Sequence, residues 1–175
     1  MNLSKHCQLC ENRQYDINTG TKCKLTDQEP SFQKKCPEIK FDEKLDNTIK
    51  EINTEYELVK RSKSLSIGNF IFFLVVSIAF IGTGIYLGVY IFDKGVLSTV
   101  PIIVIAVGIG VLPLASGPLN KYIQGIKVAE KKREELNEVL DLYNIKYNIN
   151  VIIKKDLHDN LDISHELTFL RKHYK

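Results

Sequence analysis

The chain has 175 residues, a formal net charge of +3 and 26% charged residues, an average that suits an ordinary soluble domain. That average hides a segregation: between Leu65 and Leu119 the only charges are Asp93 and Lys94, and every other ionisable charge lies in the flanks. So small a net charge, without a basic run interleaved with aromatics, argues against a nucleic-acid partner.

The chain opens Met-Asn-Leu-Ser-Lys-His-Cys, with no apolar h-region and no small-residue cleavage site. No secretory signal peptide is expected, and membrane insertion falls to internal segments. All four cysteines lie in residues 1–41: Cys7-x2-Cys10, then Cys23, then Cys36, with twelve residues in each later gap. In a cytosolic segment disulfides are disfavoured. Four soft ligands opening with CxxC suit a closed tetrahedral zinc site, which stabilises a fold too small for its own core. The same four thiolates suit an iron–sulfur cluster, which stays open as the alternative. His6 adjoins Cys7 and is a substitute ligand on chemistry alone, but it is expected to be solvent-exposed. Between Cys10 and Cys23, the stretch Arg13–Lys22 reads as a hairpin around Asn18–Gly20, giving a miniature zinc-ribbon-like module.

Cys7-Gln-Leu-Cys10-Glu-Asn-Arg, Gly20-x2-Cys23-Lys-Leu-Thr26, Pro30-x-Phe32 and Cys36 together resemble a short cysteine module at the start of uncharacterised bacterial membrane proteins, notably in the Bacteroidota. The resemblance covers residues 7 to about 41. It implies a cytosolic metal-binding appendage on a membrane protein and brings no activity with it.

Over 42–64, Leu45, Ile49, Ile52, Tyr56 and Val59 recur at heptad-like spacing, predicting an amphipathic cytosolic helix. Residues 65–92 and 96–117 are apolar runs of a length that crosses a hydrocarbon core, each needing roughly 20 residues. The Asp93-Lys94-Gly95 turn between them makes the spans antiparallel. Lys60, Arg61 and Lys63 precede the first span, while Lys121, Lys127, Lys131, Lys132 and Arg133 follow the second. The positive-inside bias therefore puts both termini in the cytoplasm, in an inner-membrane protein with two spans. Neither span holds Asp, Glu, Lys, Arg or His, so an ion path or proton relay is not expected. Gly84-x3-Gly88, with Ala106, Gly108 and Gly110, offers small surfaces for packing the spans together or for homo-oligomers. Pro101 and Pro113 are expected to bend the second span, and Pro118 to start a new helix over 118–144. That helix carries Ile126, Ala129, Leu136, Val139, Leu140 and Tyr143 on one face, with Lys131 and Glu135 paired on the other. With the 42–64 helix it is expected to form an antiparallel coiled coil.

After Asn144 the period changes to two: Ile145, Tyr147, Ile149 and Val151 alternate with polar residues, predicting a strand. Its expected partner is the sheet of the cysteine module. A terminal helix is expected from Asp162 or Ser164 to about His173. The fold class is thus mainly α, with a small N-terminal β module and a strand and helix in 145–175.

No P-loop, dinucleotide fingerprint or HExxH occurs, and no small-molecule substrate is evident. His158, His165 and His173 are too widely spaced for a helical metal pair, and Asp156, Asp159 and Asp162 read as a solvated loop. Zinc closed by four thiolates has no open position for water, so it would be structural. The sequence points to a membrane-anchored scaffold or accessory subunit that docks a protein partner or self-associates. A small oligomeric pore-forming effector, controlled by its cytosolic head, is the alternative.

Overall fold

The computed structural model describes residues 4–17, 20–91, 99–155 and 161–171. In chain order these form α1 (Ser4–Gln8), β1 (Arg13–Asp16), β2 (Gly20–Cys23) and α2 (Glu43–Tyr86), which passes into a π-helical segment, Leu87–Ile91. Then come α3 (Thr99–Leu142), β3 (Lys146–Lys155) and β4 (Leu161–Arg171). The expected turn at 93–95 lies outside the described residues, as do His158, His173, Asp156 and Asp159. The chain divides into two compact units: Met1–Glu57 with Ala129–Lys175, and Leu58–Val128. Both long helices contribute to each.

In the Leu58–Val128 unit two long apolar helical segments pack together, and α2 and α3 are both long and apolar enough to cross a membrane. Only 11% and 17% of their most apolar stretches are buried, whereas the core helix of a soluble protein would be mostly buried. Phe72, Val75, Ile78, Ile102 and Ile103 all stand exposed. The helices meet through glycines. A Cβ on Gly84 would lie 2.6 Å from Ile105 Cγ1 and 3.0 Å from the Pro101 carbonyl oxygen. One on Gly108 would lie 2.8 Å from Ile81 Cγ1 and 3.1 Å from Phe80 Cβ. Gly88 faces Pro101, so the GxxxG is used within the helix pair, while Gly110 faces open space. Ser77, fully buried, donates its hydroxyl to the Gly108 carbonyl at 2.7 Å.

Pro118 does not start a helix. α3 runs unbroken through Pro113 and Pro118. Each proline removes one backbone donor, yet the neighbouring i→i−4 bonds remain, and an apolar stretch offers no competing partner that would reward unwinding. Pro101 lies in the first turn of α3, where a missing N–H costs little.

The other unit has its own core. Leu45 and Ile49 of α2 pack with Leu136, Val139 and Leu140 of α3, joined by Leu9, Phe41 and Ile145. Of the heptad-spaced residues, Leu45 and Ile49 lie in this core with Ile52 packed against it, and the core is shared with the cysteine segment and the C-terminal strands. Asp42 closes the start of α2, its carbonyl accepting the Leu45 N–H at 3.0 Å. The Lys44 N–H, an orphan donor of the first turn, is taken by Glu11 Oε1 at 2.8 Å. At the other end α3 stops on Asn144, whose φ of 54° is left-handed. Ile145 N–H bonds the Leu140 carbonyl and Asn144 N–H that of Asp141, the paired bonds of a Schellman motif. That turn drops Ile145 into the core and swings the chain into β3.

Two expectations for the C-terminal segment fail. β3 pairs with β4 rather than with the cysteine module, in an antiparallel register that sets Ile149 opposite Leu167 and Ile153 opposite Ile163. Consequently the terminal segment, expected as a helix, is a strand. Ile163, His165, Leu167 and Phe169 are half-buried and alternate with exposed Asp162, Ser164, Glu166 and Thr168. The period of two buries one face against α2 and α3, which outweighs the capping signal at Asp162. β1 and β2 form a separate antiparallel pair, with Asp16 opposite Gly20, as the hairpin reading requires. Glu135, expected to pair with Lys131, is bonded by Lys5 Nζ at 2.7 Å.

Candidate functional site

Cys7, Cys10, Cys23 and Cys36 all line one cavity of about 310 Å³ in the first unit. Each reaches it by a different local device. Cys7 and Cys10 lie on and just after α1, where Cys10 N–H bonds the Cys7 carbonyl at 3.1 Å and tightens the CxxC into a turn. Cys23 ends β2. Its carbonyl accepts from both Thr26 and Asp27, and the left-handed φ of 51° at Asp27 curls that turn back toward the cavity. Cys36 sits in the loop before α2, tied down by its own N–H, which donates to Tyr143 Oη at 2.8 Å.

The four are free thiols, Cys7 and Cys10 buried and the other two half-buried. Burial pushes the Cys7 thiol up to about 11, helped by the proximity of Cys10, Cys36 and Cys23. Burial also raises Cys36, against a backbone hydrogen bond from Glu38 that lowers it. Lys40 N–H points at Cys10 Sγ at 3.5 Å, a donor suited to a thiolate. Leu25, Phe32 and Ile39 supply apolar wall. Among the described residues, however, no group of three or more His, Cys, Asp or Glu side chains stands in a metal-holding arrangement. The thiols share walls without closing on one point.

His6 is not solvent-exposed. It is fully buried, packed edge-on against Phe32 at 5.2 Å and Tyr143 at 5.6 Å between ring centroids. His6, Cys7, Leu9 and Cys10 are all buried, so the side of α1 and of the following turn that carries them is pressed onto the core. The His6 Nδ1 lies 3.0 Å from Tyr143 Oη, while its Nε2 is buried with no hydrogen-bond partner. Burial lowers its pKa.

Tyr143 is the residue that sequence reasoning missed. It reads there as one more apolar position at the end of an amphipathic helix, yet its hydroxyl joins Cys36 and His6. Burial holds its phenol up at about 12. Only the C-terminal cap of α3, which fixes where this ring projects, brings it to the cysteines. Phe41 packs edge-on against it at 5.1 Å. A second polar cluster lies apart from the thiols: buried Asn53 donates to the Ile49 carbonyl and to Tyr147 Oη, which in turn donates to Asn137. Thr54 Oγ1 lies 2.7 Å from His165 Nε2.

No protein-family model matches the chain, and no curated protein or solved structure matches it.

Proposed function

We propose that the chain is a membrane-anchored scaffold or accessory subunit, whose head, the unit holding both termini, binds zinc and works by docking a protein partner or by self-association. The observation that carries this reading is the contrast between the units. The two long helices leave most of their apolar surface unburied, a surface that a hydrocarbon environment would cover, whereas the other unit has a closed core of its own. The basic residues flanking both apolar stretches support a cytosolic head. The cysteine spacing, with its resemblance to the Bacteroidota-type module, supports a metal-binding appendage.

Cys7, Cys10, Cys23 and Cys36 would hold the ion, with His6 and the Lys40 N–H beside them. Bound zinc would supply a four-way cross-link between α1, β2 and the loop before α2, in place of the disulfides a reducing compartment denies. The donor set fits. Loading would draw the four thiols inward from the cavity walls and expel their protons. The pore-forming alternative draws no support from Ser77, the buried hydroxyl of the helix pair, since it is spent on the Gly108 carbonyl.

The test has two arms. The chain should stay with membranes through an alkaline carbonate wash, and release into the soluble fraction refutes the anchor. Purified protein should carry one zinc per chain, lost in the Cys7→Ser, Cys10→Ser double variant. Unchanged zinc content in that variant refutes the metal site, and recovery of the full chain in detergent as a non-associating monomer without a co-purifying partner refutes the scaffold role.

A further inference from the structure

The fully buried His6 ring has a nitrogen that nothing in the fold satisfies. Its other nitrogen lies in a hydrogen-bonded chain that runs from Cys36 through Tyr143. Cys36 N–H, which can only donate, lies 2.8 Å from Tyr143 Oη and makes that oxygen an acceptor. The phenolic proton is then free to point at His6 Nδ1, 3.0 Å away. When the phenol donates, Nδ1 accepts and the ring hydrogen sits on Nε2, whereas Nδ1–H donating to the phenolic oxygen would leave Nε2 bare. In the first tautomer Nε2–H is a donor. It sits with no partner in a residue that is 0% exposed, on the wall of the cavity that Cys7, Cys10, Cys23 and Cys36 also line.

A buried N–H left unsatisfied costs about 1–3 kcal/mol, and a bound group that offers an acceptor there would recover it. Four thiolates around a divalent ion carry two net negative charges, and sulfur in that state is a better acceptor than a neutral thiol. Resting on the four-thiolate reading, we propose that His6 donates Nε2–H to a metal-bound thiolate and that Tyr143 is the residue that positions it. In that tautomer His6 is an outer partner of the site and not a ligand, because its unpaired nitrogen carries the proton. The end of α3, through one hydroxyl, orients both the Cys36 backbone and the histidine, so metal loading and the C-terminal cap of that helix depend on each other.

The experiment uses the full chain in detergent, loaded with zinc or with cobalt(II) as an optical probe. His6→Phe keeps an aromatic ring against Phe32 and Tyr143 but removes the donor. Zinc affinity, measured by chelator competition, should fall on the order of 10- to 100-fold, the usual effect of losing such a partner. The thiolate-to-cobalt absorption should keep its intensity per ion and move to longer wavelength, because a sulfur that loses a hydrogen bond gives up its electron more easily. His6→Gln, which restores an N–H, should recover much of both. Tyr143→Phe, which leaves His6 in place without its orienting hydroxyl, should weaken binding in the same direction. Unchanged affinity and spectrum in His6→Phe overturn the proposal. So does a wild-type cobalt spectrum with three thiolates that His6→Phe alters, since His6 would then be a ligand. Wild-type protein that takes up neither metal overturns the underlying four-thiolate reading instead.

Discussion

Gly108→Ala should loosen the helix pair, and Gly110→Ala, two residues further along α3, should not. The added methyl at Gly108 meets Ile81 Cγ1 at 2.8 Å, with Ile81 N and Phe80 Cβ both at 3.1 Å. Two of these atoms are fixed to the backbone of α2 and cannot swing aside, so the helices must separate. Overpacking of this kind costs about 1–3 kcal/mol. Separation also stretches the 2.7 Å bond from Ser77 to the Gly108 carbonyl, adding about 0.5–1.5 kcal/mol. Alanine returns about 1 kcal/mol of helix propensity, leaving a net loss of about 0.5–3.5 kcal/mol. At Gly110 nothing lies within 4 Å of the new methyl, and only the propensity gain applies. Equilibrium unfolding in a fixed detergent should therefore rank the pair, with Gly108→Ala lower by about 1.5–4.5 kcal/mol. Equal stability, or a more stable Gly108→Ala, would show that the helices do not meet at this face.

Leu140→Ala removes a side chain 1% exposed at the centre of the other unit and should cost about 2–5 kcal/mol in denaturant unfolding, with no loss of membrane association. Asn53→Ala strips one partner from the Tyr147 hydroxyl and should cost about 1–3 kcal/mol, whereas Thr48→Ala, nearer the surface of the same helix, should cost under about 1 kcal/mol. In metal-free protein, iodoacetamide should label Cys7 last of the four at pH 8, followed by mass spectrometry of the peptides. Because folding raises the Cys7 thiol from 9.0 to about 11, the neutral thiol stabilises the fold below pH 9, and that contribution is lost as pH rises through about 11. Apo-protein melting temperature should accordingly fall over that interval, and a flat profile would show Cys7 to be open to water. Lys5→Ala should leave stability almost unchanged, since the Glu135 pair is at the surface; a large loss would reveal hidden coupling to α1.

The long helices and the apolar character of their middle were legible because both are properties of contiguous residues. Run length, charge segregation and heptad spacing are local quantities, and Leu45, Ile49, Leu136, Val139 and Leu140 entered the core from those alone. The hairpin of β1 and β2 was legible too, from its turn residues. The terminal strand was not. Its alternation from Leu161 to Leu170 is visible in the sequence, but Asp162 and Ser164 also begin helices well, and only a facing strand decides between the two periods. Pro118 misled for a related reason: one missing donor is a strong local signal, and its cost is set by the surrounding helix.

For the cysteines the division runs the same way. Spacing and residue type put Cys7, Cys10, Cys23 and Cys36 forward as one set, and the fold brings them to one cavity. Whether His6 faces water or is buried beside the cavity of the thiols could not be read from its position next to Cys7. That depends on which side of α1 is pressed onto Leu9's neighbours in the core, and on a tyrosine 137 residues away in sequence whose hydroxyl the cap at Asn144 sets over the site. Sequence determined what the residues can do chemically. Tertiary structure decided which of them meet, because burial and hydrogen bonding are settled between segments that the chain order keeps far apart.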